Sequence, residues 1–329
     1  MRKSISRLMI ATTALMLGTG SAYAETLVIG HFGDPTPLNA ARAKSAFEAA
    51  TGWDIEWRQF ASGTDVIAAM ASGDVKISEL GSSPLAIAAS QGVDIQMFML
   101  SFAIGDAESL IVRDGAEIAS IEDLRGKRVA VPVGSTAHFS LVGALKHAGI
   151  AENELTIMNM PPDQIAAAWE QDAIDAAFIW HPVQSQILEK GTRLLGAGDA
   201  AEWGYPTFNA WVADTEFAAE NAEALAAFAG AMDAANQAYL DDPAAWTAES
   251  EPVLAIANLT GAEPDQIPVI LEGFSFVPLS EQLSGPWLTD AATIMQSTAE
   301  FLKAAGRIDS TADDYSAFVN TDIAETAVK

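Results

Sequence analysis

Val75 to Gly92, VKISELGSSPLAIAASQG, is the stretch on which the fold turns. VKISEL reads as a β-strand, and PLAIAASQG as a helix that stops at Gly92. Between them stands Gly81-Ser82-Ser83-Pro84, with the composition of a helix start: a capping hydroxyl, then proline in the first turn. A strand, a polar turn and a helix in succession make one unit of an α/β layer. The same turn gathers hydroxyls and the free N–H groups of a helix start into a small patch that suits an anion.

The unit has an echo further along. AAMASGDVKISEL (68–80) aligns without gaps with AAWEQDAIDAAFI (167–179), placing Met70 on Trp169, Val75 on Ile174 and Leu80 on Ile179. Working outward, TLVIGHF (26–32), WDIEWRQF (53–60), DIQMFML (94–100), ESLIVR (108–113), KRVAVP (127–132), LTIMNM (155–160) and DAAFIW (175–180) read as strands. AARAKSAFEAATG (40–52), DVIAAMASG (65–73), TAHFSLVGALKHAG (136–149) and DQIAAAWEQ (163–171) read as the helices between them. Such alternation predicts parallel α/β sheets with right-handed crossovers. Ligands of such sheets sit beyond the carboxyl ends of the strands, so two similar units predict two polar loops facing across a cleft. After YPTFNAWVAD (205–214) the chain turns helical: Leu225, Phe228, Met232, Ala235 and Tyr239 form one apolar face over 222–240, Asp242-Pro243 ends that helix, and 290–306 reads as another.

The 329 residues carry a formal net charge of -27 and no cysteine. Nucleic acid is a poor partner for so acidic a chain. Disulfides and thiolate chemistry are excluded outright. Residues 1–24 have the make-up of a signal peptide: Arg2, Lys3 and Arg7, then the apolar run Leu8 to Leu17, then Ala22-Tyr23-Ala24 as a cleavage site. That run is too short to span a bilayer, so the expected product is exported and not membrane-embedded. Catalytic signatures are missing: there is no G-x-S-x-G, no Walker loop and no H-E-x-x-H. His31, His138, His147 and His181 are scattered, and none pairs with a carboxylate at metal-ligand spacing. A binding protein with no cofactor and no metal is the simplest expectation.

The words GSSPLA, GKRVAVP, STAHFSL and ALKHAGI, together with the segment Thr207-Phe208-Asn209-Ala210-Trp211, closely resemble the taurine-binding periplasmic proteins of the bacterial sulfonate uptake family. The similarity runs from about Trp57 to Asp314-Tyr315. It implies a type II periplasmic-binding-protein fold, two α/β lobes joined by two crossing strands around a ligand cleft. Residues 25–107 and 210–329 would form lobe 1 and 108–209 lobe 2. It also implies a periplasmic, monomeric receptor that takes taurine or a related small sulfonate and delivers it to an ABC-importer permease.

A sulfonate is an anion with three acceptor oxygens and needs several converging donors. Ser82 and Ser83 at one helix start, with Ser135 and Thr136 at another, are the expected donors, and His138 one turn further adds a third group. Helix capping alone would equally account for these hydroxyls, and the two roles are compatible. At the amine end the resemblance breaks. The relatives carry an acid in the segment that here reads TFNAW, so Asn209 stands where a carboxylate is expected, on the same strand face as Thr207 and Trp211. Glu108 and Asp34 are the candidate replacements, although a surface Asp in a Pro-rich turn is the commoner meaning of HFGDPTP. Trp180, Trp211, Phe32 and Trp203 are aromatic candidates for holding a cation over a ring face. His31, at the end of the first strand, completes the set. Three readings stay open: an aminosulfonate receptor; a receptor for another sulfonate or sulfate ester such as isethionate, N-methyltaurine or choline sulfate; and, more remotely, an enzyme akin to the thiamine-precursor synthases that share this general fold.

Overall fold

The computed structural model describes residues 26–285 and 287–329, so the signal-peptide segment lies outside the described residues. Eleven strands among these residues form two mixed sheets, each flanked by helices. The first sheet takes β1 (Leu27–His31), β2 (Ile55–Gln59), β3 (Ile77–Gly81) and the long β4 (Ile95–Ile104). The second takes β5 (Glu108–Arg113), β6 (Arg128–Val131), β7 (Thr156–Asn159), β8 (Ala176–Trp180) and β9 (Gly191–Gly196). The chain then returns to the first sheet through β10 (Phe208–Asp214) and the short β11 (Phe274–Ser275). The strand orders are β11-β4-β10-β3-β1-β2 and β7-β6-β8-β5-β9.

The predicted units are present. Val66, Ile67 and Met70 bury one face of helix Gly63–Ser72, and helix Ser82–Ser90 is buried along nearly its whole length. Two expectations need correction. The sheets are not purely parallel: β10 runs antiparallel between β3 and β4, and β5 runs antiparallel to both β8 and β9. These are the strands on which the chain crosses between the sheets: β5 follows β4 directly, and β10 follows β9 by way of helix Ala197–Glu202. The expected helix over 40–52 is also two helices, Pro37–Ala43 and Ala46–Thr51, broken where Ser45 adopts a left-handed φ of 50°.

The two sheets meet at these crossings. Gly273 O accepts hydrogen bonds from Gly105 N (3.2 Å) and Ala107 N (3.1 Å), tying the β4–β5 crossing to the segment before β11. Away from the crossings, helix Ala291–Ala304 reaches over to helix Thr136–His147. The Phe301 ring lies 5.0 Å from that of Phe139 and 5.8 Å from that of Tyr205, and Arg307 pairs with Glu152 at 2.6 Å. The larger core lies against the first sheet and is centred on aromatic rings. Trp211 packs edge-on to Phe228 at 4.9 Å, and Phe47 lies 4.8 Å from Phe228.

Candidate functional site

A pocket enclosing about 450 Å³ of empty space, mouth included, lies between the sheets at the carboxyl ends of β3 and β8. Ligands of open α/β sheets bind at such strand ends. Two helix starts form its walls. Helix Ser82–Ser90 follows β3 directly and has Gly81 as its cap, without a side-chain cap. Helix Thr136–His147 is capped by Ser135, whose Oγ accepts from His138 N at 3.1 Å. The two starts approach so closely that a Cβ placed on Gly81 would lie 2.9 Å from Thr136 Cγ2. Free N–H groups and the positive ends of two helix dipoles therefore converge from both sheets.

The other walls are aromatic and acidic. Phe32, Phe102, Trp180 and Phe274 line the pocket, with the Phe102 and Phe274 rings 4.5 Å apart. Among the described residues the charged lining groups are Asp34 and Glu108, and no Lys or Arg joins them. Glu108 opens β5 opposite Trp180 in the β8 register, which turns both toward the cleft. Thr136 Oγ1 donates to Glu108 Oε1 at 2.6 Å, while the buried Glu108 Oε2 has no hydrogen-bond partner among the described residues. Burial pushes the Glu108 carboxyl up to about 7. Asp34 is only 8% exposed, not a surface turn residue. Burial, then the nearby Glu79 and Glu108, raises its carboxyl well above the usual range. Two buried carboxyls without a cation in the pocket are poised to ionise when one arrives.

The pocket thus collects six of the eleven sequence candidates: Asp34, Glu108, Ser135, Thr136, Trp180 and Asn209. The other five are buried and are not among its lining residues. Ser82 Oγ accepts from Phe208 N at 3.3 Å, bracing β10, and Ser83 Oγ is buried without a hydrogen-bond partner among the described residues. The His138 ring is fully buried, with Nδ1 3.4 Å from Gly134 N, and burial lowers its pKa to about 4. His31 packs edge-on to Trp57 and lies 3.4 Å from Arg42 Nη1, with its pKa lowered to about 3, first by burial and then by Arg42. Trp211 belongs to the core of the first sheet. The β10–β4 pairing shifts register between Asn209 and Ala210 and again between Trp211 and Val212. Phe32 lines the pocket as expected of an aromatic candidate, whereas Trp203 stacks on His147 at 4.3 Å, away from it.

The sequence reading did not single out Gly63, Pro84, Phe102, Ile104, Ala107 and Phe274 as lining groups. It also missed a buried acid on the strand that leads into the pocket. Glu79, on β3, is 1% exposed and accepts a hydrogen bond from Ser101 Oγ at 2.7 Å. A carboxylate inside a strand flanked by Ile77 and Leu80 was the available signal.

Comparison with known proteins agrees with this architecture. The NMT1/THI5 like family matches residues 34–246. The taurine-binding periplasmic protein of Escherichia coli K12 is 37% identical over 303 residues, 91% of this chain and 93% of that protein. The alkanesulfonate-binding protein SsuA from Xanthomonas axonopodis pv. citri, solved bound to MOPS, superposes with a TM-score of 0.73 at 20% identity, covering 87% of this chain and 96% of that one. The periplasmic aliphatic sulphonate binding protein SsuA from Escherichia coli gives 0.70 at 22% identity, covering 88% and 95%. The fold is that of the periplasmic binding proteins. The chain belongs to the NMT1/THI5-like family and, within it, to the family of the periplasmic taurine-binding protein, the substrate-binding proteins of ABC importers.

Proposed function

We propose that this chain is a periplasmic receptor that captures taurine or a close aminosulfonate and hands it, as a monomer, to an ABC-importer permease. One observation carries the choice of ligand. A buried carboxylate oxygen, Glu108 Oε2, has no hydrogen-bond partner among the described residues, in a pocket that also holds Asp34 but no Lys or Arg. An ammonium group supplies the missing donors and charge. The sulfonate then belongs at the paired helix starts, where the Ser135 hydroxyl and the first-turn backbone N–H groups, that of Thr136 among them, hold an anion without a positive charge. Asn209, opposite Gly81 on β3 and opposite Phe102 on β4, adds an amide donor and no charge. Phe32, Phe102, Trp180 and Phe274 cover the methylenes and favour a cation over their faces.

We further propose that the ligand leaves chemically unchanged. An enzyme of the thiamine-precursor type needs a reactive histidine at the substrate, and no histidine among the described residues lines this pocket. Titration calorimetry of the ligand-stripped protein with taurine and then isethionate tests the reading. Taurine is expected to bind at least about tenfold more tightly, with Asp34→Asn and Glu108→Gln each reducing that preference. Equal or tighter binding of isethionate refutes the aminosulfonate reading and leaves a receptor for an amine-free sulfonate. Recovery of unaltered taurine after incubation is the accompanying check on the absence of chemistry.

A further inference from the structure

Asp34 follows β1 and Glu108 opens β5, so each sheet sends one carboxyl into the pocket. The turn from Phe32 to Asp34 runs through Gly33, at a left-handed φ of 84°, where a Cβ would run into the Gln59 side chain. Gln59 Nε2, at the end of β2, donates to Phe32 O at 3.2 Å. A second clamp comes from helix Pro37–Ala43. Its Asn39 is fully buried, and Asn39 Nδ2 donates to Asp34 O at 2.7 Å, beside the Thr36 N–H at 2.8 Å. Asn39 Oδ1 accepts from Arg42 Nη1 at 2.7 Å. The Arg42 guanidinium lies 4.6 Å from the centre of the Trp57 ring, two residues before Gln59 on β2, and Nη1 reaches His31 Nδ1 at 3.4 Å.

Chemistry permits one orientation of the Asn39 amide. A guanidinium only donates and a backbone carbonyl only accepts, so Oδ1 faces Arg42 and Nδ2 faces Asp34. Resting on the aminosulfonate reading of the pocket, we infer that Asn39, oriented by Arg42, is the positioning residue for the ammonium end of the ligand. Asn39 does not itself line the pocket. It holds the Asp34 main chain one bond from the Cα that carries the carboxyl, and a small shift there displaces the carboxylate from the ammonium. Arg42 is a cation whose own field opposes an ammonium, so its support for amine binding runs through the Asn39 amide and not through its charge. Among the described residues neither Asn39 nor Arg42 hydrogen-bonds to Gly81, Ser135 or Thr136. The sulfonate end is therefore held independently of this clamp.

Calorimetric titration of wild type, Asn39→Leu, Asp34→Asn and the double variant with taurine and with isethionate decides the matter. Leucine is close to asparagine in size and removes both hydrogen bonds without changing the charge. Asn39→Leu is expected to weaken taurine by about tenfold and to leave isethionate within about twofold. Because Asn39 acts through Asp34, the double variant is expected to lose no more taurine affinity than Asp34→Asn alone. Arg42→Met carries the test if Asn39→Leu does not fold. It keeps an apolar stem over Trp57 and frees the amide to turn, with an expected selective taurine loss of about threefold, whereas removal of a positive charge by itself would strengthen the hold on an ammonium. Arg42→Lys, which returns a donor and the charge, is expected to recover most of that loss. Equal losses for both ligands, an undiminished taurine preference, or additive losses in the double variant would overturn the role of Asn39 alone. A taurine preference that survives Asp34→Asn would do the same and leave amine recognition to Glu108. A wild-type protein with no preference for taurine would overturn the aminosulfonate reading and this inference with it.

Discussion

Gly81→Ala is the substitution with the sharpest consequence, because its cost exists only where the two sheets meet. Gly81 has an ordinary φ of -69°, so alanine strains no backbone there. The new methyl would sit 2.9 Å from Thr136 Cγ2 across the cleft, with Asn209 Oδ1 at 3.3 Å and Pro84 Cδ at 3.4 Å. Relaxed carbon–carbon contact lies near 3.5–4.0 Å, so Thr136 must retreat by roughly 0.6–1 Å. It cannot simply rotate, because Thr136 Oγ1 is held by Glu108 Oε1 at 2.6 Å. Either that bond or the closure of the cleft gives way. Overpacking of this size costs about 1–3 kcal/mol, which read on the closed, ligand-bound state weakens affinity by about 5- to 150-fold. An opening of the cleft without ligand would relieve the clash, and the melting temperature of the ligand-free variant should then scarcely move. Calorimetric titration with taurine and thermal unfolding without ligand read the two quantities separately. Unchanged affinity in a folded variant, or a loss of ligand-free stability without a loss of affinity, would refute the premise that ligand binding brings the two helix starts together.

Two further outcomes follow from the same structure. Gly273→Ala places a methyl 2.7 Å from Ala107 N and 3.1 Å from Ala107 Cα, both backbone atoms at the crossing. Urea unfolding should report a loss of about 2 kcal/mol, and undiminished stability would mean that the crossing is looser than its hydrogen bonds indicate. Stability against pH should pass through a maximum. Glu79 and Glu108 are pushed up to about 7 from an ordinary 4.5, so their contribution is full below 4.5 and lost as pH rises through 7, and Asp34, raised by burial, acts in the same direction. His31, His138 and His181, lowered from 6.5 to about 3, 4 and 4, contribute fully above 6.5 and lose that contribution as pH falls toward 4. The two sets oppose between 4.5 and 6.5, and above 6.5 only the carboxyls act. Scanning calorimetry of the ligand-free protein should therefore show a melting temperature that declines above 6.5, and saturating taurine should restore most of the decline. A ligand-free melting temperature still climbing above that point would contradict the burial of these carboxyls.

Local pattern alone determined a good part of this protein. The run from Val75 to Gly92 folds as the strand and helix its residues spell, because alternation, a proline start and a glycine stop are properties of neighbouring residues. Ser135 caps its helix by the same local rule. The GSSPLA and STAHFSL words were enough to name the family. Tertiary structure alone decided which side of each element meets the ligand. The serines Ser82 and Ser83 are fully buried and do not line the pocket, while Gly81 and Pro84 beside them do. Asn209 lines the pocket and Trp211, two residues on, fills the core, with two register shifts in the β10–β4 pairing along this stretch. Phe102 and Phe274 are far apart in sequence and meet at 4.5 Å because β11 pairs with β4. Asp34 follows β1 and Glu108 opens β5 of the other sheet, and they line one pocket only because the two sheets meet there. Periodicity fixes what each segment becomes, whereas register, strand crossing and burial fix which segments share a pocket.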